Sequence, residues 1–187
     1  MNQPIKTTLD EIVDFLNQQR INHCIIGGLA VSARARTRTT EDVDLIIDCQ
    51  PEAAIKLLKP LEKANFLPFF DGVERVIRES CILPVKHQSS GVTVDMSLAI
   101  GGLDQTILRR AEPFQIFGLE VSVATNEDLI LMKLMAGRAV DQADVQAIAA
   151  AKSEVLDWDY LVAMATQIEQ ALAIDLVDGV NRLRDGR

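Results

Sequence analysis

Helical spacing of apolar residues marks the first element of the chain. Four apolar side chains recur at intervals of three and four positions and share one helical face: Leu9, Ile12, Val13 and Leu16. The segment Thr8–Glu11 resembles a capping box, in which a hydroxyl and a later acid satisfy backbone N–H groups at a helix start. We therefore expect an amphipathic helix that ends near Gln19.

Short apolar runs separated by turn residues predict strands. They cover residues 24–26, 43–47, 74–83 and 92–98, and residues 116–119 have the composition of a hairpin turn between two short strands. Between the first two runs we expect a glycine turn and a short helix from Leu29 to about Arg34. Pro51 suits the first turn of the next helix, whose apolar residues face inward: Ala54, Leu57, Leu58 and Leu61.

The final third of the chain has helical spacing. Residues 125–128 resemble a second capping box, and the helix that begins there is expected to run to about Gly137. Further helices are predicted near residues 141–151, 158–170 and 173–184. The predicted fold class is α+β, a small mixed β-sheet flanked by helices, with a helical C-terminal third. We divide the chain into a core, residues 1–124, and a helical extension, residues 125–187, packed on it as one structural unit.

Two acids lie within one apolar run. Asp42 and Asp44 belong to the predicted strand, and alternation along a strand sends residues i and i+2 to the same face. Two adjacent anions repel each other unless they share a proton or a cation, and carboxylate-lined sites suit Mg²⁺. Such a doublet can also be a solvated loop edge.

A glycine pair precedes the acid doublet. Gly27 and Gly28 directly follow the apolar residues 24–26. Glycine lets a backbone turn approach a ligand closely, and a helix that starts there directs free N–H groups at phosphate. A lone Gly-Gly is commonly only a turn, but its occurrence with the doublet favours a metal and nucleotide site.

The glycine turn followed by Asp-x-Asp resembles the signature of the nucleotidyltransferase superfamily, the polymerase-beta-like fold. This resemblance implies that Asp42 and Asp44 bind two Mg²⁺ ions and that a third carboxylate arrives on a later strand. Asp95, the acid in the apolar run 92–98, is the candidate for that third position. All three would be both metal ligands and catalytic residues. Asp95 taken alone can equally be a strand residue that faces water.

Within the superfamily the sequence is most similar to small bacterial proteins of the abortive-infection AbiEii type. Those proteins have a downstream Lys-x4-Arg and Asp-x2-Asp, which Lys133, Arg138, Asp141 and Asp144 supply in order. The resemblance covers residues from about 21 to 150 and implies that Lys133 contacts the nucleotide. The alternative is that the basic pair occupies the wet face of a helix, and that the two acids pair with Arg138 or water as ordinary surface charges. The roles of Arg138, Asp141 and Asp144 stay open.

Three arginines lie between the glycines and the doublet. Arg34, Arg36 and Arg38 offer forked donors that match phosphate oxygens, which suggests contacts to a triphosphate. They can also balance the charge of Glu41 and Asp42 in a solvated loop. Arg38 is the best single candidate because it is nearest the acids.

Composition limits the classes of function. The chain has 187 residues, 48% of them hydrophobic, and a formal net charge of -8 with a sequence pI of about 4.8. An acidic surface argues against broad, nonspecific nucleic-acid binding, although a local basic groove is compatible with it. His23 and His87 have no nucleophile arrangement nearby in the sequence, so a hydrolase triad gains no support.

The cysteines and the N-terminus predict a cellular location. Three cysteines with apolar neighbours and no metal-knuckle spacing predict reduced, buried thiols, and hence a cytoplasmic protein. The N-terminus has no apolar signal core, and no stretch approaches the roughly 20 apolar residues that span a bilayer. We therefore expect neither secretion nor membrane insertion.

These features predict Mg²⁺-dependent transfer of a nucleoside monophosphate from a nucleoside triphosphate to a hydroxyl acceptor. Gly27, Gly28, Arg38 and Lys133 are the expected nucleotide contacts. The sequence does not define the acceptor, for which the resemblance allows tRNA, a protein or a small molecule, with a toxin-like role in the first two cases. The alternative is a non-catalytic nucleotide-binding or regulatory protein, such as one partner in a toxin–antitoxin pair. The oligomeric state is open.

Overall fold

A computed structural model of the chain describes residues 3–35, 39–152 and 154–186. The strands found there are β1 His23–Ile25, β2 Asp42–Ile47, β3 Phe66–Pro68, β4 Ile82–His87, β5 Thr93–Leu98, β6 Glu112–Ile116 and β7 Leu119–Val123. The helices are α1 Gln3–Gln18, α2 Gly27–Arg34, α3 Pro51–Lys63, α4 Val73–Ser80, α5 Gly102–Arg110, α6 Asn126–Ala136, α7 Ala139–Lys152, α8 Trp158–Leu172 and α9 Val177–Arg184.

The strands form one mixed sheet in the order β3-β4-β5-β2-β1-β7-β6. Two neighbouring pairs are parallel, β2 with β5 and β1 with β7, and the other pairs are antiparallel. Helices connect or follow the strands, and the last four helices occupy the C-terminal third. The predicted α+β class with a small mixed sheet is therefore confirmed.

One face of the central strands is apolar and buried. Alternate residues of β2 and β5 have at most 1% exposure: Val43, Leu45, Ile47, Val94, Met96 and Leu98. Removing one such side chain from water contributes about 1.5–3 kcal/mol, so this face fixes the register of the two strands. The intervening residues at 42, 44, 93 and 95 consequently lie on the other face, and all four are half-buried or exposed.

Helix α1 begins five residues earlier than the capping-box pattern predicts. Thr8 is fully buried inside the helix, and its hydroxyl donates to the carbonyl oxygen of Pro4 at 2.9 Å. Glu11 does not cap the helix either, because its carboxylate lies 2.9 Å from Nε2 of the buried His87. Nδ1 of the same ring is 2.7 Å from the Ser90 hydroxyl. Thr8 and Glu11 therefore do not begin the helix. They lie within it, and their side chains connect α1 to the end of β4.

The strand predicted over residues 74–83 is wrong for most of its length. Residues 73–80 form α4, and β4 begins only at Ile82. Val73 and Ile77 are four residues apart and both are buried, which is helical rather than strand spacing. On its exposed side the helix has an i,i+4 ion pair between Arg75 and Glu79 with 2.8 Å between charged atoms. Strand β3 and helix α5 were not predicted.

The hairpin between β6 and β7 is confirmed. Phe117 and Gly118 both have positive φ angles, 54° and 86°. Two successive residues with positive φ are typical of the tight turns whose twist matches that of paired antiparallel strands.

The described residues divide into two compact units. The first contains residues 3–30 and 39–124, with the whole sheet, and the second contains residues 31–35, 125–152 and 154–186. The sequence-based division into a core, 1–124, and an extension, 125–187, remains a proposal.

The first helix of the second unit, α6, has the N-cap that the sequence predicts. The Thr125 hydroxyl accepts a hydrogen bond from the backbone N–H of Asp128 at 3.2 Å, and α6 begins directly after it. Glu127 in turn accepts the N–H of Asp157 at 3.1 Å, which joins the start of α6 to the N-cap of α8. No helix of the part of the chain that the structure describes is long and apolar enough to cross a membrane.

Candidate active site

The glycine turn is pressed against the second acid of the doublet. Strand β1 ends at Ile25 and α2 begins at Gly27, whose φ is 62°. A Cβ atom at this glycine would lie 1.8 Å from Oδ2 of Asp44, so no other residue fits without displacing the carboxylate. The backbone N–H of Ile26 also donates to the Asp44 carbonyl at 3.0 Å. The first motif is thus one packed structure, in which Gly27 leaves the space that Asp44 occupies.

The third acid is in register with the doublet. Strands β2 and β5 are parallel neighbours, and Asp44 pairs directly with Asp95 while Asp42 pairs with Thr93. Residues paired in register share a face, and Asp42 shares that face with Asp44 by alternation. Neighbouring strands are about 4.8 Å apart, so Asp44 and Asp95 occupy adjacent positions on this face. The sheet brings the three predicted acids to one face.

The pKa of Asp95 reflects both its partial burial and the neighbouring acid Asp42. Partial removal from water raises the pKa of Asp95, and the negative charge of Asp42 raises it further. Asp42 is half-buried, and its Oδ1 accepts a hydrogen bond from the Thr40 hydroxyl at 2.7 Å. A raised carboxyl pKa means that the ionised form is disfavoured in the absence of a neutralising cation.

The donor set is suited to Mg²⁺. Among residues 3–35, 39–152 and 154–186, no three His, Cys, Asp or Glu side chains are grouped as a complete metal cluster. Mg²⁺ does not require such a cluster, because it commonly binds one or two carboxylates and takes its other ligands from water and substrate phosphates. Paired oxygen donors on Asp44 and Asp95, with Asp42 beside them, fit that mode of binding.

Of the three arginines between the glycines and the doublet, only Arg34 belongs to the described residues. Arg34 is a buried residue at the end of α2. Arg36 and Arg38 lie outside the described residues, so the contact predicted for Arg38 stays a prediction.

Thr40 is a residue of this site that the sequence did not single out. Its hydroxyl holds one oxygen of Asp42 and thereby limits the orientation of that carboxylate. The local signal was a hydroxyl two residues before an acid, a spacing at which side chains of Ser and Thr commonly bond nearby groups.

The second predicted charge motif forms a buried cluster within the second unit. Nζ of Lys133 is 2.9 Å from Asp141 and 3.2 Å from Asp144. The guanidinium of Arg138 contacts Asp141 through Nε at 2.6 Å and Nη2 at 3.1 Å. The pairing of Asp141 with Arg138 agrees with the alternative considered from the sequence.

The expectation that both acids are surface charges is wrong. Asp141 and Asp144 have no exposed area, because the ammonium of Lys133 lies between them. Asp141 also accepts the backbone N–H of Arg138 at 3.2 Å, just before α7 begins, as in the acid half of a capping box. Burial acts to raise the pKa of Asp141, but hydrogen bonds and charges from Arg138 and Lys133 outweigh it and lower the pKa to about 2.

A mixed sheet in which a glycine turn abuts an Asp-x-Asp strand, with a third acid in register on the next strand, agrees with the arrangement that the sequence resemblance implies. The chain belongs to a family with that description: a model of the nucleotidyltransferases of unknown function, DUF6036, matches residues 5–181. No curated protein is a significant match to the sequence.

Solved structures share the fold at low sequence identity. The antibiotic-resistance factor ANT(2″)-Ia has a TM-score of 0.64 and 14% identity, with 92% of this chain and 95% of that chain covered. A nucleotidyltransferase-like protein from Paracoccidioides brasiliensis gives 0.57 and 18%, with 93% and 91% covered. The lincosamide antibiotic adenylyltransferase LnuA gives 0.53 and 13%, with 76% and 95% covered. These matches establish the fold alone.

Proposed function

We propose that the protein transfers a nucleoside monophosphate from a nucleoside triphosphate to a hydroxyl acceptor in a Mg²⁺-dependent reaction. The observation that carries this proposal is the register of Asp44 with Asp95, on the same face as Asp42 and with Gly27 against the Asp44 carboxylate. Membership of a nucleotidyltransferase family supports it.

The proposed reaction uses the three acids in different ways. The acceptor oxygen forms a bond to the α-phosphorus, the bond from that phosphorus to the bridging oxygen breaks, and pyrophosphate leaves. Asp95 takes the hydroxyl proton, a role that its position in register with Asp44 allows. Asp42 and Asp44 would hold the ions together with Asp95. Two Mg²⁺ ions, when bound, would neutralise phosphate charge and lower the pKa of the attacking hydroxyl.

The nucleotide contacts are proposed on local chemistry and on the sequence resemblance. Gly27 and Gly28 open α2, where backbone N–H groups have no helical acceptor and suit phosphate oxygens. Arg38 and Lys133 would neutralise charge on the departing phosphates. Because Lys133 is the cation between two buried carboxylates, we expect Lys133→Gln to destabilise the protein as well as to weaken triphosphate binding, so titration calorimetry is compared only on samples that urea unfolding shows to be folded.

The acceptor is proposed to be a small molecule. Two structures that share the fold support this proposal. One is the lincosamide antibiotic adenylyltransferase LnuA with lincomycin bound, and the other is ANT(2″)-Ia in complex with adenylyl-2″-tobramycin. The AbiEii-type resemblance favours tRNA or protein as acceptor and a toxin-like role in the cytoplasm, which makes these the second candidate.

The proposal is tested by incubating the protein with each labelled nucleoside triphosphate, Mg²⁺ and a cell extract, then separating small molecules, tRNA and protein. We expect label from one triphosphate to appear in a single fraction and to be abolished by a chelator of divalent ions. Binding of nucleotide without any transfer in all fractions would instead identify a non-catalytic nucleotide-binding or regulatory protein, such as a toxin–antitoxin partner.

A further inference from the structure

The face that carries the acids continues across the sheet to its edge. Asp95 pairs with Pro84 on β4, and Phe69, the residue after β3, donates its backbone N–H to the Pro84 carbonyl at 3.3 Å. Paired residues share a face, so Asp44, Asp95 and Pro84 form one row, and the hydrogen bond to Pro84 continues that row to the backbone of Phe69 at the sheet edge. Two strand spacings, roughly 10 Å, separate Asp95 from Phe69.

A second row runs beside the first. Asp42 pairs with Thr93, Thr93 with Lys86, and Lys86 with Leu67 at the sheet edge. Lys86 is exposed, and Leu67 has 37% exposure. Each row therefore starts at a carboxylate of the candidate site and leads to an apolar residue at the sheet edge. In the second row, the cation Lys86 lies between the two.

The edge of the sheet exposes aromatic area. Phe69 and Phe70 are 53% and 44% exposed, and their rings pack edge to face with centroids 6.1 Å apart. Exposed aromatic rings grouped together are unusual on a soluble surface and commonly mark a binding region. A flat ring can stack on such a pair, a contact that adds to the simple burial of apolar area.

We propose that Leu67, Phe69, Phe70 and Lys86 form the acceptor-binding surface, and that the acceptor has a flat apolar ring and is neutral or anionic. This inference rests on the proposed function, because the acceptor hydroxyl must reach Asp95. The ring would lie on Phe69 and Phe70, about two strands from the reacting oxygen. Lys86 would attract an anionic or hydrogen-bond-accepting group between them and would disfavour a polycation.

The test measures binding of three probes by saturation-transfer NMR: 3-hydroxy-2-phenylpropanoate, whose carboxylate lies between ring and hydroxyl, its neutral match 2-phenylethanol, and tobramycin. The parent chain is compared with a double variant, Phe69→Ala with Phe70→Ala. We expect the double variant to bind both aromatic alcohols about two- to tenfold more weakly, which is the range of one lost stacking contact. Lys86→Gln should weaken binding of 3-hydroxy-2-phenylpropanoate and leave binding of 2-phenylethanol unchanged.

Ile100→Ala is the matched control, because Ile100 is 52% exposed and follows the opposite end of β5. It should leave binding of every probe unchanged. The proposal is overturned if the parent binds neither aromatic alcohol, if the double variant binds them as well as the parent, or if Ile100→Ala weakens them equally. A dimer of the parent that dissociates in the double variant would also overturn it, since a second copy would then cover this surface.

The surface and the catalytic proposal can fail separately. Probe binding that depends on Phe69 and Phe70, in a chain that transfers no nucleotide, would refute the proposed function and leave a binding surface without its reaction. Nucleotide transfer that is unaffected by the double substitution would refute the acceptor surface alone.

Discussion

At the scale of single residues, the contact between Gly27 and Asp44 explains why the first motif requires glycine. The positive φ of Gly27 disfavours any residue with a Cβ, and the Asp44 carboxylate occupies the place where that atom would lie. The backbone conformation and the acid position therefore depend on each other. A substitution at this glycine is expected to displace the Asp44 carboxylate, a proposed metal ligand, even before it disturbs the fold.

Gly27→Ala should destabilise the protein by about 2 kcal/mol or more, because left-handed strain and the clash with Asp44 add together. Gly72→Ala is the control, since Gly72 has a φ of 77° but no atom within 4 Å of a new Cβ atom. Gly72→Ala should therefore lose about 1 kcal/mol of stability, which comes from left-handed backbone strain alone. Urea unfolding of both variants provides the comparison, and equal losses would refute the steric role of Asp44.

Asp95 should make stability depend on pH in the direction opposite to most acids. Its folded pKa is raised, so ionisation costs stability above the pKa of the unfolded chain, and the full cost is present above the folded pKa. Asp95→Asn should therefore leave stability unchanged at pH values below about 4 and raise it at neutral pH. The gain should be a few tenths of a kcal/mol, since water screens this exposed group.

The same carboxyl group should respond to Mg²⁺. A bound cation favours ionised Asp95, so carbon-detected NMR titration should show its pKa fall when Mg²⁺ is added. A pKa for Asp95 that is the same with and without the ion would count against a metal site on this face.

At the scale of elements, strand alternation predicted the acids but could not predict the register. That Asp42 and Asp44 share a face is a local property of one strand. That Asp95 stands beside Asp44 depends on how β2 and β5 align, which is set by burial of apolar residues on the opposite face. The continuation to Phe69 depends on a three-residue strand, β3, too short to leave a periodic signal.

Long-range partners also explain the wrong predictions. Thr8 and Glu11 have the spacing of a helix cap, but their hydrogen bonds go to Ser90 and His87, 82 and 76 residues away. Asp141 and Asp144 have the spacing of surface charges, and a lysine from the preceding helix buries them. Local spacing cannot distinguish these cases, because the deciding partner lies elsewhere in the chain.

The cluster that joins α6 to α7 should be a strong determinant of stability. Asp141→Asn leaves the buried ammonium of Lys133 with less compensation, whereas the exposed guanidinium of Arg138 can turn to water, so we expect a loss of about 3 kcal/mol at neutral pH. Asp178→Asn, which removes an exposed pair with Arg182, should cost less than about 1 kcal/mol. Urea unfolding measures both, and losses of similar size would contradict a special role for the buried cluster.

The contribution of Asp141 should disappear in acid. Its pKa is about 2 in the folded protein, below the ordinary value of 3.8, so the stabilisation is fully present above pH 4 or so. It is lost as the pH falls toward 2. The stability difference between the parent and Asp141→Asn should shrink over that interval, and a difference that stays constant would refute the assignment.

At the scale of the whole molecule, family membership and fold agree with the site. A family model covers residues 5–181, and three structures of low identity share the fold. The net charge of -8 is unfavourable for extended contact with nucleic acid, which is consistent with a small or locally bound acceptor. The apolar edge at Phe69 and Phe70 offers a compact surface for such an acceptor.

The central claim is that the acids at positions 42, 44 and 95 drive nucleotide transfer. The most direct measurement is the rate of label transfer from nucleoside triphosphate by Asp44→Asn, with urea unfolding of the same sample. Asp48→Asn is the control, because Asp48 directly follows the other end of β2 and its contact with Gln105 survives as an amide.

We predict that Asp44→Asn loses at least about 100-fold in rate while its stability is unchanged or higher, because repulsion among the acids is relieved. Asp48→Asn should keep the parent rate. An Asp44→Asn protein that unfolds would show that the doublet is structural, and one that remains folded with full transfer activity would contradict the catalytic assignment.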